Sequence, residues 1–121
     1  MSKAGNFLSI IIEDAMKTYY HVTTERASRK ILVNGLIPRK GSRSNKLGER
    51  EEAVYLFKSI DDAEEAVMNW LGDEFTETAI LVLLEVKVPS DFGITEVEGH
   101  FEAVSSDPIP AKYIRLIKKD L

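Results

Sequence analysis

The stretch Thr78-Ala79-Ile80-Leu81-Val82-Leu83-Leu84-Glu85-Val86-Lys87-Val88 decides the fold class. Ala79 to Leu84 is continuously apolar, as expected of a central strand covered on both faces. From Glu85 to Val88 charged and apolar residues alternate, so one face meets solvent there. Pro89 ends the strand.

Upstream lie the neighbours of such a strand. Ala53-Val54-Tyr55-Leu56-Phe57 reads as another strand. Ser59 then caps a helix, with Asp62 three residues on. Ala63, Ala66, Val67, Trp70 and Leu71 form that helix's core-facing stripe, and Gly72 is its expected stop. Asp61, Asp62, Glu64 and Glu65 crowd its first turns, where the helix dipole favours negative charge; they read as a solvated face.

Further back, Thr18-Tyr19-Tyr20-His21-Val22 is a short strand by its β-forming residues. Thr23 or Thr24 offers an N-cap to a helix over Glu25–Asn34, with Ala27 and Ile31 four apart on one face. Gly35 stops that helix, and Leu36-Ile37-Pro38 leaves it extended. Residues 39–52 form a polar loop carrying Arg39, Lys40, Arg43, Lys46 and Arg50. At the N-terminus, Phe7, Ile10, Ile11 and Asp14 have helical spacing, and a helix is expected from about Asn6 to Lys17, although Ile10-Ile11-Ile12 is also strand-like.

Downstream, strands are expected at Gly93–Val97, His100–Ser105 and Tyr113–Lys118, interrupted by Asp107-Pro108 and Ile109-Pro110. Helices come early and strands gather late. That order predicts an α+β fold with a largely antiparallel sheet rather than a doubly wound one.

Composition narrows the function classes. The 121 residues fit one domain with one core. A net charge of −4 argues against non-specific nucleic-acid binding. With no cysteine, disulfides, thiolate metal sites and cysteine nucleophiles are excluded, and two histidines make a histidine-rich metal site a poor expectation. The apolar run Phe7–Ile12 is too short to span a bilayer and is a poor signal peptide, so the expected location is the cytoplasm, including a host cytoplasm for a phage or effector protein.

Three motifs then stand in order along the chain. Tyr20-His21-Val22-Thr23, followed by a short helix ending in Gly35-Leu36-Ile37-Pro38, resembles the first motif of the ADP-ribosyltransferase superfamily. Ala53-Val54-Tyr55-Leu56-Phe57 with the Ser-Ile-Asp-Asp-Ala helix after it resembles the second. Glu102-Ala-Val-Ser-Ser-Asp-Pro-Ile-Pro-Ala-Lys-Tyr-Ile resembles the last, a strand glutamate followed by Ile-Pro-x-x-Tyr-Ile. The resemblance covers about residues 18–118 of a single domain spanning 1–121. It implies a split antiparallel sheet flanked by short helices, with NAD in the cleft.

On this resemblance His21 hydrogen-bonds a ribose of NAD, Tyr55 stacks on the nicotinamide ring, and Glu102 holds the 2′-hydroxyl of the nicotinamide ribose. Backbone groups of Val22, with Thr23 beside it, hold the nicotinamide amide. Arg39 and Arg43 are candidates for the pyrophosphate or the modification target, since a guanidinium fork suits phosphate oxygens. No metal is required. The expected reaction moves ADP-ribose from NAD to an intracellular macromolecule, a protein rather than a nucleic acid, with release of nicotinamide. Such bond breaking develops positive charge on the sugar, and a fixed carboxylate stabilises it as it forms.

The chain departs from the family at Val22, where relatives carry glycine. His100 stands two residues before Glu102, so the arginine-directed toxin pattern is absent. Glu96 and Glu98 are alternatives for the key glutamate. Tyr55 also reads as a core aromatic, and Glu102 as a solvent-facing strand residue. Two further functions share the implied fold: a non-catalytic module binding a protein or nucleotide, and an RNA 2′-phosphotransferase.

Overall fold

The computed structural model describes residues 15–39, 52–76, 78–96 and 102–121. Within them the chain runs β1 (Met16–Thr24), α1 (Glu25–Asn34), β2 (Val54–Phe57), α2 (Ile60–Asn69), β3 (Leu81–Pro89), β4 (Thr95–Glu96), β5 (Glu102–Ser105) and β6 (Ile114–Lys119). Short 3-10 turns follow α2 at Leu71–Glu74 and precede β6 at Ala111–Tyr113. The strands form one open sheet in the order β4-β5-β2-β1-β3-β6. Every pairing in it is antiparallel. The fold class is therefore α+β, as the order of elements predicts.

The apolar run that becomes β3 lies between β1 and β6 and is covered on both faces. Val82, Leu84, Val86 and Val88 join one core cluster with Tyr19, Val54, Leu56 and Ala103, against which Ile31 of α1 packs. Leu83 points the other way, into a second cluster with Val22, Phe57, Ala63 and Ala66, the last two from α2. The helices thus lie on opposite faces, and strand alternation sorts side chains between them.

Local chemistry explains the joints. Thr24 accepts a hydrogen bond from the Ala27 amide at 3.1 Å, which starts α1 immediately after β1. Gly35 ends α1 at φ 85°, and a Cβ there would lie 2.3 Å from the Ile109 carbonyl oxygen. Beside it Leu36 and Ile109 exchange two backbone hydrogen bonds of 2.9 Å each. The segment after the first motif is therefore tied to the Ile-Pro segment of the last. Ser59 caps α2 by accepting from the Asp62 amide at 3.0 Å.

Several boundaries differ from the sequence expectation. Met16 and Lys17 belong to β1, not to a helix, because they pair with Pro89 and Val88 of β3, and Ala15 before them lies in a turn; residues 6–14 of the expected Asn6–Lys17 helix lie outside the described residues. α2 stops at Asn69, with Gly72 inside the 3-10 turn beyond it, where a Cβ would lie 2.5 Å from the Val67 carbonyl oxygen. β3 starts at Leu81 rather than Thr78. The Ile80 carbonyl instead accepts from the Glu25 amide at 2.8 Å, in the first turn of α1. No helix among the described residues is long and apolar enough to cross a membrane.

Candidate functional site

β1 aligns with β3 over nine residue pairs, but with β2 at Tyr20↔Phe57 alone. Beyond that pair the two strands part. His21 Nδ1 lies 2.9 Å from the Tyr55 carbonyl oxygen across the parting. A carbonyl only accepts, so Nδ1 carries the proton and Nε2 is left as an acceptor in the neutral ring. Burial holds the His21 pKa below its ordinary value; the hydrogen bond to Tyr55 opposes that shift and the Arg39 charge adds to it. Near neutral pH the imidazole is uncharged.

The parting opens into a hollow of about 610 Å³, walled by β1, α1, the segment around Gly35 and the start of β2. A hollow of this size is in the range that takes a cofactor. Its apolar floor includes Val22, Ile31, Leu36 and Val54. Its polar groups come from His21, Thr23, Thr24, Asn34 and Tyr55, and its charges from Arg26, Lys30 and Arg39. Among the described residues no aspartate or glutamate lines it.

Of the residues singled out in the sequence, His21, Val22, Thr23, Tyr55 and Arg39 meet at this hollow. Register places His21, opposite Leu84, on the α1 face of the sheet. It places Tyr55 on the other face, with Phe57 and Tyr20. The two reach one space only because their strands diverge between them. Arg39 sits where the chain rejoins the sheet, exchanging backbone hydrogen bonds of 3.1 and 3.0 Å with Ala53.

Glu102 is not in the lining of the hollow, contrary to a direct convergence of all three side chains. It pairs with Phe57 while Val104 pairs with Tyr55, so it is the diagonal neighbour of Tyr55 on the same face. It is half-buried. Glu96 lies elsewhere: it accepts from the Tyr19 hydroxyl at 2.6 Å, with Lys17 Nζ at 3.4 Å and Lys58 Nζ at 4.0 Å. The Tyr19 hydrogen bond leads in holding Glu96 below its usual carboxylate range, with the lysines contributing. Burial, then Glu96, pushes Tyr19 well above the ordinary phenol range. Tyr19, Lys17, Lys58 and Glu96 do not line the hollow. Arg43 and Glu98 lie outside the described residues.

Arg26, Lys30 and Asn34 were not among the sequence candidates. The signal was their helical spacing beside Ala27 and Ile31, which put all five on one side of α1. That face reads as an ordinary solvated edge until the hollow beneath it is known. Among the described residues no cluster of His, Asp and Glu is arranged to hold a metal ion.

No family model matches the sequence, and no curated protein matches it.

Proposed function

We propose that this domain is an NAD-dependent ADP-ribosyltransferase whose dinucleotide occupies the hollow between β1 and β2. One observation carries the reading: His21, Tyr55 and Arg39, far apart in sequence, border a single hollow of about 610 Å³ formed where two sheet strands part. In this reading neutral His21 donates to Tyr55 and turns Nε2 to a ribose hydroxyl. Tyr55 offers an aromatic face to the nicotinamide ring. Backbone groups of Val22 and the Thr23 side chain flank the nicotinamide, and Arg39 meets the diphosphate.

Glu102 acts from the Tyr55 side. The bond from the anomeric carbon to nicotinamide breaks, and the ring leaves with the electron pair. A bond forms from the acceptor atom of an intracellular macromolecule, a protein in this reading, and the acceptor proton passes to solvent. The carboxylate stabilises the positive charge that grows on the sugar between those events.

Among the described residues no carboxylate lines the hollow, and this favours a second reading, a non-catalytic nucleotide-binding module on the same scaffold. One experiment separates them. The purified chain is incubated with NAD and cell extract, and nicotinamide release and label transfer are followed while NAD binding is measured by calorimetry. Release and transfer support the enzyme. Binding without release supports the module, and neither binding nor release rejects both.

A further inference from the structure

We infer that Arg26 and Lys30 of α1 join Arg39 in a phosphate-binding wall that anchors a diphosphate-bearing nucleotide in the hollow. Arg26 and Lys30 are four residues apart on one helix face, and both line the hollow. Like charges at that spacing repel. Arg39 adds a third positive charge to the same lining, and its charge reaches His21. Among the described residues no carboxylate in the lining offsets the three. The chain as a whole is acidic, with 20 acidic and 16 basic residues, so an all-cationic wall runs against its composition.

The rest of α1 shows the contrast. Arg29, on the neighbouring face, makes an i,i+4 ion pair with Glu25 at 3.4 Å, and Lys119 Nζ lies 4.0 Å from the same carboxylate. Cations on that side of the helix are matched within the protein. On the hollow side they border a partly open space with an apolar floor. Two guanidinium forks and an ammonium offer many donors and no acceptor, which suits the oxygens of linked phosphates rather than a neutral sugar or base. A ligand with two phosphate charges removes the mutual repulsion of the wall and satisfies its donors together.

The identity of the nucleotide rests on the dinucleotide reading above, whereas the wall stands on these charges alone. The test uses the full chain in calorimetric titrations with ADP, ADP-ribose, inorganic pyrophosphate and adenosine. ADP and ADP-ribose are expected to bind, and adenosine to bind at least about tenfold more weakly. Arg26→Gln/Lys30→Gln is expected to weaken ADP by about tenfold or more with an unchanged unfolding midpoint. Arg29→Gln is expected to leave binding unchanged. Affinity should fall as salt is raised, since these cations are exposed.

If ADP binds the double variant as tightly as the wild type, the wall is overturned, whatever NAD turnover shows. If ADP binding depends on Arg26 and Lys30 while NAD yields no nicotinamide, the wall stands and only the reaction is lost. A wild type that binds neither ADP nor pyrophosphate overturns the inference. So does tighter binding of a single-stranded oligonucleotide with the same dependence on Arg26 and Lys30, which would reassign the wall to a strand backbone.

Discussion

His21 Nδ1 and the Tyr55 carbonyl oxygen lie 2.9 Å apart across the point where β1 and β2 part, so one hydrogen bond both ties the strands and fixes the imidazole tautomer. The ring has two jobs that a substitution can separate. In His21→Asn the side-chain amide can replace Nδ1 as donor to Tyr55, but nothing replaces Nε2. Nucleotide affinity should drop while the unfolding free energy stays within about 0.5 kcal/mol. His21→Ala should lose affinity and about 1 kcal/mol of stability as well. Urea denaturation beside calorimetry distinguishes the two, and equal stability losses in both variants would contradict the tie.

The same ring sets a pH dependence. Its folded pKa lies below its ordinary 6.5, chiefly because of burial. Above that ordinary value both folded and unfolded chains hold neutral imidazole, and His21 contributes no slope. As pH falls below it, the unfolded chain takes up the proton first, so stability declines until the folded pKa is reached and then levels. Nucleotide binding should persist below pH 6.5 and fail only when the folded ring protonates. An NMR titration of the His21 ring checks this; a midpoint at or above 6.5 contradicts it.

Gly35 carries a backbone demand that the Asn-Gly pair announces in the sequence. Its φ of 85° and ψ of −178° lie in a region reserved for glycine, and a Cβ would sit 2.3 Å from the Ile109 carbonyl oxygen. Gly35→Ala is therefore expected to destabilise the fold by about 3 kcal/mol. It should also disturb the paired hydrogen bonds of Leu36 and Ile109. A urea midpoint close to the wild type would show that the segment rearranges at little cost.

Much of this framework is legible from short-range chemistry. The helix over Glu25–Asn34 with its threonine cap and Gly35 stop follows from capping rules, and the Leu81–Leu84 run follows from its unbroken apolarity. What misleads is long-range. Met16 and Lys17 look like the end of a helix because nothing local reveals their partners Val88 and Pro89. Strand alternation puts His21 and Tyr55 on opposite faces, and no sequence pattern says that β1 and β2 diverge enough to open a shared space. Arg26 and Lys30 carry the same cationic signal as any exposed helix edge. Only the tertiary position of α1 distinguishes them from Arg29.

Tyr19 and Glu96 join β1 to the edge strand β4, and their hydrogen bond of 2.6 Å gives that end of the sheet its own acid sensitivity. Glu96 is held below its ordinary 4.5 first by the Tyr19 hydroxyl. The stability it adds is present above that ordinary value and is lost as pH falls through the lower folded pKa. Tyr19→Phe should cost about 1 kcal/mol at pH 7 and flatten the stability profile below pH 4.5. Unfolding free energies from pH 3 to 7 for both proteins measure it, and parallel profiles would remove Tyr19 from the account.

Glu102 and Tyr55 are diagonal neighbours on adjacent strands, and this places the sharpest demand on the enzymatic reading. A carboxylate that acts on developing charge contributes to the transition state and little to the ground state. Glu102→Gln keeps shape and hydrogen-bonding capacity but removes the charge. Nicotinamide release should fall by about 100-fold or more, with ADP-ribose affinity changed less than about threefold. Tyr55→Phe should retain most activity, because the ring face is what the nicotinamide meets, whereas Tyr55→Ala should raise KM for NAD. If Glu102→Gln releases nicotinamide at the wild-type rate, Glu102 is a strand residue and not a catalytic one. The carboxylate must then come from outside the β2–β5 pair, or the domain binds its nucleotide without turning it over.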